Sequence, residues 1–381
     1  MGVEGSEISN RNNLLDILRG WAIFGVVICH IAGLVLNIRI SESSDVNTNF
    51  FYALSLGRYG VEVFFFLSGF LLSQIYGNSV SVKSFKISKY WIRRILRIFP
   101  LWIIFWLIAL LEFRIFNFGP WISDESKSGI FLASLMSITF TLYLSSKYWG
   151  LVPGGWSIQT EVFQYICFPF LRIKRWRLPL ISILVFLHLA ATFIDTQIPE
   201  SAIVNNFFDS VMRLQVIPSI FFFALGIAIQ EIYTEKFFFT LEAVGKILLR
   251  NSWFIVLLVI SFVFSGFNNQ NHNVVEAFFI LQLLVIFSIL CARVLILNRF
   301  FTWLGQHSYF YYFMHFQVIM IMTKTGFLNF LLAQSFISNY YFLTALLFIL
   351  TMIFVAPLAE ASMRLIERPI IALGRKNRKN N

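Results

Sequence analysis

The sequence predicts an all-α polytopic membrane protein with about ten transmembrane helices, one re-entrant or interfacial helix near residues 129–146, and both termini cytoplasmic. Three observations carry that prediction. Of 381 residues, 58% are hydrophobic and only 13% are charged, against about 45–50% and about 25% in soluble domains. The apolar residues gather into long uninterrupted runs. The 30 Lys and Arg, which outnumber 19 acids for a net charge of +11, cluster in the gaps between those runs. This composition excludes a disordered chain and a disulfide scaffold, and it argues against an ordinary soluble enzyme. Cys29, Cys167 and Cys291 all lie inside apolar runs, so neither a disulfide framework nor a zinc site is indicated. No metal is expected.

A span of the ~30 Å hydrocarbon core takes about 20 apolar residues at about 1.5 Å each. The first run, 17–37, follows a polar cytoplasmic tail, 1–13. It is longer than the apolar region of a signal peptide and no small-residue cleavage site follows Leu36, so it reads as a retained first helix. Further runs fall near 54–76, 98–113, 129–146, 156–171, 178–195, 211–232, 251–267, 274–296, 305–324 and 339–363. Cytoplasmic segments are richest in Lys and Arg. Segment 77–97 holds Lys83, Lys86, Lys89, Arg93, Arg94 and Arg97, and segment 172–177 holds Arg172, Lys174, Arg175 and Arg177. Both are therefore inside, yet three runs lie between them, so one does not cross. The run 129–146 is the weakest, with Ser134, Ser137, Thr139, Thr141, Ser145 and Ser146 before a Gly/Pro turn, VPGGW. Irregular backbone at membrane depth must be buried in protein or line a cavity, which implies a cavity on the outer side. With ten spans, 23 of the 30 basic residues fall on the cytoplasmic side. Residues 14–369 then form a single membrane domain, followed by a basic cytoplasmic tail, 370–381.

Ionisable residues within spans are functional candidates. In LLDILRGWAIFGVVICHI, Arg19 and His30 are eleven steps apart, which returns to one helix face after a rise of about 16 Å. Arg19 sits at the cytoplasmic end and His30 near mid-bilayer. In KYWIRRILRIFP, Arg94 and Arg97 share a face. They read either as a topology signal or as a forked phosphate site, which suits Arg better than Lys. Glu161, in VPGGWSIQTEVFQYICFPF, lies about 7 Å inside the outer boundary and reads as a helix bridge or as a partner for His30. His315, in WLGQHSYFYYFMHF, is about 15 Å into its span, the same depth as His30. The stripe Tyr309, Tyr312 and Phe316 reads as packing, and His188 as structural. Glu62 and Asp16 could orient neighbouring arginines. Cys29 adjoins His30 but points about 100° away, leaving an acyl-cysteine intermediate as a lesser alternative.

Six blocks resemble, in order, the signatures of the acyltransferase-3 family of integral membrane O-acyltransferases. They are LDILRGWAIFGVVICH with its Arg-x10-His pattern, GVEVFFFLSGFLL, RRILRIFPLW, WSIQTEVFQYICFPF, SYFYYFMHF and IERPI, and they span Asp16 to Pro369. Glu62 stands where an Asp is common, and Gln159-Thr160 replaces Ser-Val before Glu161. A stand-alone member is expected, with no fused hydrolase-like domain after the last helix.

The resemblance implies transfer of an acyl group, usually acetyl, from cytoplasmic acyl-CoA (acetyl-CoA) to a hydroxyl of a cell-surface or lipid-linked glycan on the far side. The expected partners are then the acyl-CoA donor on the cytoplasmic side, the glycan acceptor on the outer side and the lipid bilayer, with no nucleic acid, and the expected location is a bacterial inner membrane. CoA phosphates would sit on Arg19, Arg94 and Arg97. An extended pantetheine arm, on the order of 15–20 Å, matches the ~16 Å rise from Arg19 to His30. His30 would be general base, Glu161 would orient the imidazole or bind the sugar, and His315 would stabilise the oxyanion or share the proton. A polytopic transporter or flippase of a glycan or lipid-linked substrate is the competing class, since midplane charges and broken segments occur there too. Against it, no repeat halves are visible. A purely structural membrane subunit leaves the Arg19/His30 register unexplained.

Overall fold

In lipid a backbone N–H or C=O must find its partner inside the protein, which leaves helices or closed barrels as spanning structures. Every regular element among the described residues of this computed structural model is helical. The structure describes residues 2–42, 56–76, 85–116, 127–141, 151–173, 216–232, 298–334 and 339–376, with positions 179, 182, 183, 243 and 246. The runs expected near 251–267 and 274–296, and all of 178–195 except positions 179, 182 and 183, lie outside these residues, as does His188. Among the described residues, three helices are long and apolar enough to cross a membrane, at Leu14–Leu36, Ile87–Glu112 and Tyr340–Leu373. The chain divides into two units, residues Met1–Phe64 with Ile232–Ala359 and residues Phe65–Glu231 with Glu360–Asn381.

The first unit is built on α1 (Gly2–Glu42). Ile23, Val27, Ile31 and Val35, spaced by four, are fully buried together with Val26, which makes one face of α1 a continuous apolar seam. A 3₁₀ turn at Leu56–Tyr59 and the start of α2 (Gly60–Tyr76) pack on that helix. So do α7 (Asn298–Gln306) and α8 (Ser308–Lys324). Small residues allow the approach. A Cβ at Gly20 would lie 2.1 Å from the Phe301 carbonyl oxygen, and one at Gly305 would lie 1.7 Å from the Asp16 carbonyl oxygen. Helix association in membranes uses such close backbone contact. Around it, Trp21 stacks on Phe301 at 4.2 Å, and Phe24 meets Phe348 of α10 (Tyr340–Ser362) edge-on at 4.7 Å. A short α9 (Phe327–Leu332) follows a left-handed Gly326, φ 76°.

The second unit contains most of α2, with α3 (Ile87–Phe116), α4 (Lys127–Ile138), α5 (Gly155–Leu171), α6 (Val216–Ile232) and α11 (Arg368–Lys376). The apolar run expected from residue 98 is in fact the later part of a helix that begins at Ile87. Tyr90 explains the earlier start. It is fully buried and stacks on Phe168 of α5 at 5.7 Å, so the basic stretch has its own packed face. The opposite face exposes Ile92, Ile95, Ile103, Leu107 and Leu111, as a lipid-facing stripe would. Helices α2 and α6 interlock as α1 and α7 do, since Cβ atoms at Gly69 and Gly226 would lie 2.0 Å from the carbonyls of Phe223 and Phe66.

Helix α4 has only 12 residues, about 18 Å, which is short for a ~30 Å core. It stops at Phe140, whose φ of 57° is left-handed and whose ring packs against Phe99 and Trp102 at 5.2 and 5.6 Å. The VPGGW turn then starts α5 through a left-handed Gly154, φ 72°. The Gln159 amide donates to the Ser137 carbonyl at 2.9 Å, tying α5 to the end of α4. This gives the residue that departs from the family pattern a structural task. At the C-terminal end, α10 passes through a π turn, Met363–Glu367, into α11, and the π turn and α11 pack on α3.

Gly20→Ala is expected to lower the thermal stability of the detergent-solubilised protein by about 1–3 kcal/mol, the usual cost of overpacking. Gly33→Ala, where nothing lies within 4 Å, is expected to leave it unchanged or raise it by about 0.5–1 kcal/mol. Fluorescence-detected size-exclusion chromatography after heating measures both.

Candidate functional site

Each unit carries a polar cluster among its described residues. In the first unit the cluster runs along α1. Arg19 Nη1 donates to Asp16 Oδ1 at 2.9 Å, an i,i+3 pair that is 18% exposed on each side. The Gln306 amide of α7 donates to the other Asp16 oxygen at 3.3 Å. Asp16 therefore holds the arginine in place and is itself held by a second helix.

Three turns further along α1, His30 meets α8. Its ring centroid is 5.2 Å from that of His315, and Phe316 sits edge-on to it at 4.5 Å. His315 packs against the same Phe316 at 4.1 Å. His30 Nδ1 is 2.8 Å from the Val26 carbonyl oxygen, and His315 Nδ1 is 2.8 Å from the Tyr311 carbonyl oxygen. A carbonyl only accepts, so in each ring Nδ1 carries the hydrogen and Nε2 keeps the lone pair. Each histidine thus uses its own helix, one turn back, to fix its tautomer. His315 is 0% exposed, and its Nε2 has no hydrogen bond among the described residues. His30 is half-buried, so of the two it is the ring that another molecule can reach. His307, at the start of α8, repeats the pattern by donating Nδ1–H to the Trp303 carbonyl at 2.7 Å.

In the second unit the cluster is centred on Glu161. Ser68 Oγ of α2 donates to Glu161 Oε1 at 3.0 Å, and the Tyr165 hydroxyl donates to that same oxygen. Tyr165, only 1% exposed, is pinned from α3, because the Tyr90 hydroxyl donates to its carbonyl at 2.8 Å. The Arg94 guanidinium lies over the Tyr165 ring, 5.5 Å from its centroid, and its buried Nε has no hydrogen bond among the described residues. Arg97, one turn on, is exposed. Arg93 instead donates to the Tyr76 hydroxyl at 2.9 Å. Arg172 is 9% exposed, donates to the Tyr76 carbonyl at 3.0 Å and covers the Phe85 ring at 4.2 Å.

The residues singled out in the sequence fall into these two groups, His30, His315 and Arg19 in one unit and Glu161, Arg94 and Arg97 in the other. Sequence reasoning missed Ser68, Tyr165 and Gln306, and it read Phe316 as packing without placing it between the two histidines. Only Tyr165 had a usable signal, since Glu161 and Tyr165 are an i,i+4 pair that must share a helix face.

A family model described as an acyltransferase domain matches residues 12–356. An uncharacterized protein of Haemophilus influenzae is 28% identical over 167 residues, covering 40% of this chain and 64% of its own length. The acyltransferase MdmB of Streptomyces mycarofaciens is 30% identical over 153 residues, covering 40% of this chain and 37% of its own. The matched regions are thus less than two thirds of either relative. No solved structure matches.

His315→Ala removes a wholly buried ring and its hydrogen bond to Tyr311, and is expected to destabilise the fold by about 2–4 kcal/mol. His30→Ala, at a half-buried position, is expected to cost less than half of that. Thermal unfolding of the purified variants makes the comparison.

Proposed function

The chain belongs to the acyltransferase family whose domain it matches over residues 12–356, and from that premise we propose that it is an integral membrane O-acyltransferase. In this reading it moves an acyl group, acetyl in the first instance, from acyl-CoA on the cytoplasmic side to a hydroxyl of a cell-surface or lipid-linked glycan on the outer side of a bacterial inner membrane. The observation that carries the reading is the histidine pair. Two imidazoles meet at 5.2 Å, each with Nδ1–H committed to its own helix, which leaves the Nε2 lone pairs for chemistry.

His30, the reachable ring, acts as general base. Its Nε2 takes the proton of the acceptor hydroxyl while that oxygen adds to the thioester carbonyl. The tetrahedral intermediate collapses with cleavage of the C–S bond. The imidazolium returns the proton to the departing thiolate, leaving an ester and a free CoA thiol. His315 in its neutral form has no N–H to spare for an oxyanion, because Nδ1–H is used by Tyr311. Sharing the proton with His30 is therefore the better-supported of its two roles. Direct transfer is favoured over an acyl-cysteine, since Cys29 follows a different helix face from His30.

Arg19, Arg94 and Arg97 are proposed to bind the phosphates of acyl-CoA. Support for Arg94 comes from its buried Nε, which no described residue satisfies, and from the Tyr165 ring beneath it, a support that takes up no N–H group that a phosphate could use. Asp16 aligns Arg19 without burying it, and Arg97 is exposed. Glu161 is proposed to bind the sugar.

With labelled acetyl-CoA and an envelope glycan fraction as acceptor, His30→Ala is expected to lose about 10²–10⁴ of the transfer rate while remaining folded. Undiminished transfer rules out the assigned base. Arg94→Ala and Arg97→Ala are each expected to raise the KM for acetyl-CoA about tenfold, the loss of a charged hydrogen bond, with kcat changed less. A normal KM returns both arginines to a topological role. Glycan movement by wild-type protein that neither binds nor consumes acetyl-CoA would mark a transporter instead.

A further inference from the structure

Two hydroxyl groups from different helices converge on one oxygen of Glu161. Ser68 Oγ donates to Oε1 at 3.0 Å and the Tyr165 hydroxyl donates to the same atom. Among the described residues, Oε2 carries no hydrogen bond, and Glu161 is only half-buried. A carboxylate serving simply as an internal bridge gains most by accepting through both oxygens, since each has lone pairs to satisfy. Here the protein loads one oxygen and leaves the other. The donors are themselves rigid. Tyr165 is 1% exposed and anchored to α3 by the Tyr90 hydroxyl on its carbonyl at 2.8 Å. Its ring face also carries the Arg94 guanidinium at 5.5 Å. One side chain therefore serves two groups, with its hydroxyl on the carboxylate and its ring under the arginine.

From this convergence we infer that Tyr165, assisted by Ser68, is a positioning residue that locks Glu161 so that Oε2 accepts a hydrogen bond from a hydroxyl of the glycan acceptor. The ligand class follows from the chemistry. An ionised carboxylate oxygen accepts only, and a sugar offers O–H donors in a fixed arrangement, which a locked carboxylate discriminates better than a freely rotating one. The inference rests on the acyltransferase reading and extends it by separating acceptor recognition from donor recognition within a single residue.

That separation is testable, because Tyr165→Phe removes the hydroxyl and keeps the ring, whereas Tyr165→Leu removes both. Initial rates of labelled acetyl transfer are measured on full-length protein in lipid nanodiscs. The envelope glycan fraction and acetyl-CoA are varied in turn, with thermal unfolding as the check on folding. Tyr165→Phe is expected to raise the KM for the glycan about tenfold, with the KM for acetyl-CoA within about twofold of wild type. Tyr165→Leu is expected to raise both. Ser68→Ala is expected to shift the glycan KM in the same direction as Tyr165→Phe, by less. A Tyr165→Phe enzyme with unchanged glycan KM, or one whose two KM values rise together, overturns the inference. Wild-type protein that transfers nothing overturns the functional reading and this inference with it. Wild-type activity alongside an indifferent Tyr165→Phe overturns the inference alone.

Discussion

The close contact of α1 with α7 is the constraint on which the first unit depends. Gly20 faces the backbone of Phe301, and Gly305 faces the backbone of Asp16, with no room for a methyl group at either place. Lipid supplies no hydrophobic drive between two apolar helices, so such backbone proximity is what gives packing its strength in a membrane. It also sets the polar contacts. With α7 held this near, Gln306 reaches Asp16, and Asp16 aligns Arg19. Because α8 follows α7 directly, the same contact fixes where α8 passes α1. Two turns into α8, His315 meets His30. The ion pair and the histidine pair are therefore consequences of one steric fit, at two levels along the same helix.

The second unit solves a different problem with similar means. Gly69 and Gly226 bring α2 and α6 together, but α5 has to be held with a buried polar stripe. The side-chain donors on that stripe find carbonyls: Gln159 the Ser137 carbonyl, Gln164 the Ser219 carbonyl, and Thr160 the carbonyl of Trp156 one turn back. Buried donors that lack a partner are costly, so these bonds restrict α5 to one rotation. That rotation aims Glu161 and Tyr165 together. The carboxylate's geometry is thus inherited from amide contacts on either side of it.

What could be read from the sequence was whatever a single helix determines. Arg19 and His30 share a face by angular arithmetic alone, and Asp16 was placed one turn from Arg19, where it now forms its ion pair. The wholly helical character of the described residues followed from long apolar runs. Contacts between segments distant in sequence were less legible. Ser68 sits in a run of phenylalanines and leucines, GVEVFFFLSGFLL, and nothing in that pattern says that its hydroxyl meets a carboxylate 93 residues away. Boundaries were misjudged where aromatic residues do the packing. Helix α3 starts at Ile87 because Tyr90 is buried, although hydropathy alone starts it at residue 98. Helix α4 ends at a left-handed phenylalanine that no turn signature marks.

The arginines show how structure divides a charge cluster that composition leaves uniform. By sequence, Arg93, Arg94, Arg97 and Arg172 all belong to basic segments, and orientation in the membrane explains any of them. The protein treats them differently. Arg93 and Arg172 are consumed internally, on the hydroxyl and carbonyl of Tyr76 and on the face of Phe85. Arg172, nearly buried, contributes little to a surface potential and more to joining α2 and α5. Among the described residues, Arg94 is supported by an aromatic ring and forms no ion pair with a carboxylate. An arginine held by a ring keeps its in-plane N–H groups for another partner, whereas one held by a carboxylate has spent them. Topology needs only the charge. The choice of a tyrosine beneath Arg94, and of that tyrosine's hydroxyl for Glu161, is a further degree of order that orientation in a bilayer does not require.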